Sequence, residues 1–258
     1  MRSDSPSFTR GPAGDDPELN VRIMGARRVL RQLDASCGRL TPVDPGFPAG
    51  RSGRDSWLTS GLLYFVAAAD PRLDLAKHSR TAARYAVLLA RALGIERAGF
   101  LLDIERGALL HDVGKAVVPP EILRKGGPLT EVEREIIREH PVAGYRMIEE
   151  FGFLRAAAEI VLRHHERFDG RGYPAGLAGD RIPLGARIFA LADTLDAMTS
   201  DRVYRRGRTF EEALGEIERA GGYQFDPAMV DVFLTVPVSA WRWAGLETAG
   251  LASLPTVH

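Results

Sequence analysis

The sequence predicts an all-α fold, a bundle of seven to nine helices, on three observations. Apolar residues recur at helical spacing in almost every segment from Trp57 onward. Alternating apolar–polar runs of the strand type are missing from those segments. Helix starts are marked by capping residues, with Thr130 placed three residues before Glu133 and Thr209 placed before "FEEALGEIER".

Residues 1–17 are rich in Ser, Pro, Gly and Asp and read as disordered. Leu19, Ile23, Met24, Leu30 and Leu33 then fall at helical spacing, so a short amphipathic helix is expected at 18–34, docking on the bundle or mediating dimerisation. Residues 35–56, with Pro42, Pro45, Pro48, Gly46, Gly50 and Gly53, read as a linker. Residues 1–56 thus form an N-terminal extension.

The helical domain is expected over 57–236. "AKHSRTAARYAVLLARAL" is a helix of good formers closed by Gly94, and "DIERGALLHDVG" is a second ending at Gly114. "LTEVEREIIREH" is broken by Pro141, and "VAGYRMIEEFG" carries on to Gly152. "LRAAAEIVLRHHE" is apolar enough to be largely buried. "ARIFALADTLDAMTS" and the segment capped by Thr209 complete the set. Residues 237–258 read as a C-terminal tail in which Trp241 and Trp243 pack against the bundle.

Composition narrows the function. Lys plus Arg and Asp plus Glu both number 34 in 258 residues, so no overall field draws the chain to nucleic acid or an anionic membrane, and DNA, RNA and membrane partners are not expected. Cys37 stands alone, which rules out a disulfide framework and a thiolate metal cage. The N-terminus lacks the apolar core of a secretory signal. The longest apolar stretch, Gly61 to Ala69, falls short of the roughly 18 residues of a membrane span. A soluble, cytoplasmic protein is expected.

The histidines carry the chemistry. His78, His111, His140, His164 and His165 sit on or at the ends of four predicted helices, and His258 alone lies outside them. A bundle core can bring such positions together. In "ALLHDVGK" the carboxylate of Asp112 follows a buried run, where an ionised group is costly without a cation. Asp193 in "FALADTLDAM" poses the same problem, while Asp196, one turn later, reads as solvated or as a capping group. His111, Asp112, His140, His164, His165 and Asp193 make a nitrogen and oxygen donor set that suits Fe, Mn, Zn, Co or Ni. Six donors exceed one tetrahedral site, and two ions bridged by Asp112 would use them, a standard device for phosphoester hydrolysis. The Gly170–Gly172 pair and Pro174 read as a stiff loop that holds the aromatic ring of Tyr173 rigidly beside the metals. Asp169 is read as a group that braces this loop or a ligand histidine, and Glu166 as support behind a ligand or as a solvent-facing group.

"HDVGK" at 111–115, "HP" followed by Gly144 at 140–144, "HHERFDGRGYP" at 164–174, "ALADTLDAMTSDRVYR" at 190–205 and "FDP" at 225–227 together resemble the HD-GYP domains, a branch of the HD metal-dependent phosphohydrolases. The match runs from Asp70 to Phe233 with all blocks in order; "HD" is unspecific alone, and the block containing "GYP" is highly specific. The resemblance implies a helical bundle of the HD phosphohydrolase type. It implies hydrolysis of cyclic di-GMP to pGpG, and on to GMP in some members, with two or three divalent ions, iron or manganese, and a metal-bridging hydroxide as nucleophile. The ligands carried over are His111, Asp112, His140, His164, His165 and Asp193. Lys115 matches the lysine that meets the scissile phosphate, Gly172, Tyr173 and Pro174 match the substrate-side loop, and Arg202 matches a phosphate-contacting arginine. Trinuclear members have a glutamate four residues before a histidine on the first helix. Here the pair is Asp74 and His78, and an aspartate is one methylene shorter. A third ion and a carboxylate–histidine hydrogen bond beside a binuclear centre both remain open. A receptor that binds the nucleotide and signals through a protein partner, a hydrolase of a related cyclic dinucleotide, and a homodimer also stay open at this stage.

Overall fold

The computed structural model describes residues 75–201 and 206–246, together with 21, 24, 25, 27, 28, 30–32, 35 and 62. Ten α-helices lie within 75–246, and the described residues form no strand beyond isolated bridges. They are α1 Leu75–Ala92, α2 Ala98–Leu110, α3 Pro120–Leu123, α4 Glu131–Arg138, α5 His140–Ile148, α6 Arg155–Arg163, α7 Leu184–Thr199, α8 Phe210–Arg219, α9 Pro227–Thr235 and α10 Val238–Gly245. The count exceeds the expected upper figure by one, and α3 is a single turn.

Helix α1 is the central element. Ala82, Ala83 and every residue from Tyr85 to Ala90 are buried, so it has no solvent face along that length. It packs on α2, α7 and α10. Gly94, with φ +77°, closes it as expected, in the left-handed region that glycine enters without penalty. Leu88, Leu89, Phe189 and Phe233 are fully buried in this core, each stabilising the fold by about 1.5–3 kcal/mol. A second core joins Leu110, Val113, Met147, Ile148, Leu154 and Val161 to Leu30 and Leu62 of the N-terminal region. Of the expected helix at 18–34, the described residues are helical, and they dock on the bundle: Leu30 is buried and the Arg27 Nε donates to the Arg146 carbonyl at 2.9 Å. Arg31 reaches Glu150 at 3.0 Å.

Both threonine caps form full capping boxes, Thr130 with Glu133 and Thr209 with Glu212. Asp226 of the "FDP" block caps α9, accepting from the Ala228 amide, and pairs with Arg187 at 2.6 Å, which ties α9 to α7. The helical region runs past residue 236: α10 places Trp241 in the core, edge-on to Tyr85 and tilted against Phe233, as its aromatic character suggested. No described helix is long and apolar enough to cross a membrane.

One expected boundary moves. The helix read as ending at Gly114 stops at Leu110, and a 3-10 turn follows over Val113–Val117. The cause is a main-chain contact. A β-carbon built on Gly114 would lie 2.0 Å from the His140 carbonyl oxygen and 2.6 Å from the Gly144 amide. One on Gly144 would meet Val161 at 2.9 Å. Continuing α2 would carry the chain away from α5; the turn lays backbone on backbone, and only glycine permits that. Gly114→Ala should therefore lower unfolding stability by about 3 kcal/mol, read as a shift of the denaturation midpoint, whereas Gly126→Ala, with nothing within 4 Å, should shift it little.

Candidate metal centre

Three helix ends converge with the same local device. His111 caps α2, His164 caps α6, and His140 follows the cap of α4. Each faces a carbonyl three residues back: His111 Nδ1 to Ala108 at 2.8 Å, His140 Nδ1 to Ile137 at 2.7 Å and His164 Nδ1 to Val161 at 2.7 Å. A carbonyl only accepts, so Nδ1 carries the proton in all three and Nε2 keeps its lone pair. Last-turn carbonyls are those a helix leaves short of partners, so the contact serves both groups.

The free nitrogens point inward. His140 Nε2 and His164 Nε2 lie 3.2 Å apart, both buried. Two acceptor nitrogens at that distance repel unless a cation lies with them. Asp112 faces both sides of the cluster: Oδ2 is 3.2 Å from His111 Nε2, and Oδ1 is 3.3 Å from His140 Nε2. Asp193, projecting from the middle of α7, stands 3.9 Å from His111 Nε2 and 3.2 Å from His78 Nε2. Donor atoms gather in two groups, His140 with His164 and His165, and His78 with His111 and Asp112. Neutral imidazoles and carboxylates, with an aspartate that faces both groups, fit divalent transition ions, and the donor set contains no sulfur. The six expected ligands are thus brought together.

The electrostatics agree. Burial holds the His140 and His164 pKa down to about 3, and burial with the neighbouring His164 holds His165 at about 2. Burial alone would raise Asp112, but His111 and Lys115 outweigh it and keep the carboxylate ionised. Burial likewise opposes ionisation of Asp193, and its bond to His78 reverses that. Lys115 Nζ sits 2.6 Å from Asp112 Oδ2, a quarter of its side chain exposed, so its ammonium stands at the mouth of the site.

His78 makes carboxylate–histidine contacts, one of the two alternatives, with α7. Asp74 lies outside the described residues. The contacts of His78 are with α7: Nε2 with Asp193 and Nδ1 in a short hydrogen bond with Asp196. Asp196 is buried, not solvated, and also accepts from Ser200 Oγ at 3.0 Å. It is the site residue that sequence reasoning misplaced. The available signal was its spacing, three residues from Asp193 and so on the same helix face.

The substrate-side loop is held by its own backbone. Glu166 accepts from the Ala175 amide at 2.8 Å and the Leu177 amide at 2.9 Å. Asp169 pairs with both sides of the Arg167 guanidinium and accepts from the Arg171 amide. Loop bracing is thus the supported reading of Asp169, and Glu166 is buried, not solvent-facing, and braces the loop as well. A β-carbon on Gly172 would lie 2.3 Å from the Arg167 nitrogen, so the loop folds flush on the residues after His165. The Tyr173–Pro174 bond is cis. Tyr173 stacks on His165 with centroids 4.8 Å apart, which sets the Gly172–Pro174 turn beside this candidate ligand. Arg202 and Arg205 lie outside the described residues.

A family model described as HD domain matches residues 66–229. The chain is 44% identical over 149 residues to a cyclic di-GMP phosphodiesterase response regulator, RpfG, of Xanthomonas campestris, covering 57% of this chain and 39% of that one. It is 35% identical over 159 residues to a 3'3'-cGAMP-specific phosphodiesterase of Vibrio cholerae, covering 61% and 30%. The chain therefore spans between about a third and two fifths of the length of these curated relatives. A solved HDG"Y"P protein from Bdellovibrio bacteriovorus, Bd1817, superposes with a TM-score of 0.54 at 15% identity, over 87% of this chain and 73% of that one. At that identity the likeness concerns the fold.

The pKa pattern sets a pH profile for the metal-free protein. His140, His164 and His165 are depressed below their unfolded value of 6.5, so their stabilisation is present above pH 6.5 and is lost as pH falls toward 3. In His78, burial is outweighed by the hydrogen bonds to Asp193 and Asp196, and its pKa rises to about 10. Its contribution is full below 6.5 and is lost between 6.5 and 10. Thermal midpoints of chelator-treated protein should peak near pH 6.5; a steady rise to pH 9 would contradict this charge assignment.

Proposed function

We propose, on the premise that the chain belongs to the HD domain family and to its HD-GYP branch, that it is a metal-dependent phosphodiesterase that hydrolyses cyclic di-GMP to pGpG. The observation that carries the reading is Asp112, whose two oxygens face two separate groups of imidazole nitrogens. Two divalent ions, iron or manganese, would be held by His111, Asp112 and Asp193 on one side and by Asp112, His140, His164 and His165 on the other. Such ions supply an activated water at neutral pH and neutralise charge on the phosphate.

The chain's own residues supply the rest. Lys115, at the mouth and within reach of Asp112, is placed to meet charge that develops on the non-bridging phosphate oxygens. Asp112 is ionised before any ion arrives, so no proton has to be displaced from it. The braced loop holds Tyr173 at the rim, where a nucleotide must pass. Arg202 remains assigned to a phosphate by the resemblance alone. Relatives named for cyclic di-GMP and for cGAMP both match, and the higher identity favours cyclic di-GMP.

Metal-loaded protein incubated with cyclic di-GMP should yield pGpG by chromatography, and GMP if the linear product is also cleaved. Binding without product, with either iron or manganese, would make the protein a receptor instead. His111→Ala with Asp112→Ala should abolish turnover and remove most of the metal. Lys115→Met should lower kcat about 100-fold while leaving metal content unchanged; loss of metal in that variant would make Lys115 a support for Asp112 only.

A further inference from the structure

Arg138 was not singled out by any motif, yet it reaches the centre of the substrate-side loop. It ends α4, two residues before the ligand His140. Its guanidinium carbon lies over the Tyr173 ring, 5.7 Å from the centroid. The other contact the guanidinium makes is with Glu135 at 2.6 Å on the solvent side, and about half the arginine side chain is exposed. Helix α4 has no buried residue of its own, so nothing in the core requires a long cation at this position. A cation suits the last turn of a helix, where the carbonyl ends carry partial negative charge.

Tyr173 is already stacked on His165, with ring planes 26° apart. One ring face cannot hold both an imidazole at 4.8 Å and a guanidinium above it. The two groups therefore take opposite faces. We propose that Arg138 is a positioning residue that clamps the Tyr173 ring against His165, so that a substrate meets the tyrosine hydroxyl and not the ring face. Stacking of a guanine on Tyr173 is then closed off, and the edge that carries the hydroxyl is the part presented.

The kinetic half of the test rests on the phosphodiesterase reading; the spectroscopic half does not. In chelator-treated protein, NMR signals of the His165 ring should move in Arg138→Gln and stay near their original positions in Arg138→Lys, with Tyr173→Leu identifying the signals shifted by the tyrosine ring. Unmoved signals in Arg138→Gln would overturn the clamp whether or not the protein hydrolyses cyclic di-GMP. With metal-loaded protein, Arg138→Gln should raise KM about two- to fivefold, the worth of an exposed cation–π contact, with kcat within about twofold and metal content unchanged. Arg138→Lys should restore KM. Tyr173→Phe, which keeps both faces and loses the hydroxyl, should raise KM more than Arg138→Gln does. A Tyr173→Phe enzyme with unaltered KM would show that the ring face is what the substrate uses. A KM increase from Arg138→Gln that persists in a Tyr173→Leu background would show that the arginine acts on the substrate directly.

Discussion

A last-turn carbonyl accepting the Nδ1 proton of a histidine three residues on is the contact from which the centre is built. It occurs at Ala108, Ile137 and Val161. Each instance fixes a tautomer, aims Nε2 and relieves a carbonyl that the helix leaves short of donors. Because the device needs a helix end, the fold must bring the C-termini of α2, α4 and α6 to one place, and the packing of α5, which follows α4 directly, on α6 and on the turn after α2 does so. The partial negative charge of converging C-termini favours a cation there before any side chain is counted.

The charged side chains then divide the centre into two poles. Asp112 is matched by Lys115 at the mouth, and Asp193 with Asp196 is matched by His78 against the core. Between them lie the neutral imidazoles of His140, His164 and His165. Asp112 thus has one protein cation, and Asp193 and Asp196 share another, so divalent ions compete with an ammonium at one pole and an imidazolium at the other. The third-ion question raised by Asp74 and His78 becomes one about His78 and α7, since its described partners are Asp193 and Asp196.

Features that depend on neighbouring residues were legible in the sequence. Both threonine caps and the glycine after α1 involve a few adjacent positions, and each formed as read. The donor set was legible because the histidines and aspartates fall at helix ends or in apolar runs, where no cheaper role exists for them. What failed depended on distant chain. The end of α2 is set by the His140 backbone, a contact that no local pattern shows. Asp196 looked solvated because its partner His78 lies 118 residues away on α1. Glu166 and Asp169 left two roles open because the amides that donate to them are brought into place only once the loop has folded.

The glycine contact between the "HDVGK" turn and α5 has a consequence for how such a centre can vary. Gly114 and Gly144 set the gap between the His111–Asp112 pair and His140 by main chain against main chain, with no side chain in between to trim or enlarge. The spacing behaves as a rigid ruler. A different choice of ion therefore has to enter through the identity of the donors or the furnishing of the rim, since the distance between the two halves of the donor set is not adjustable by substitution. Tyr173 and Arg138, which stand on that rim and touch no part of the ruler, are where such tuning costs the fold least.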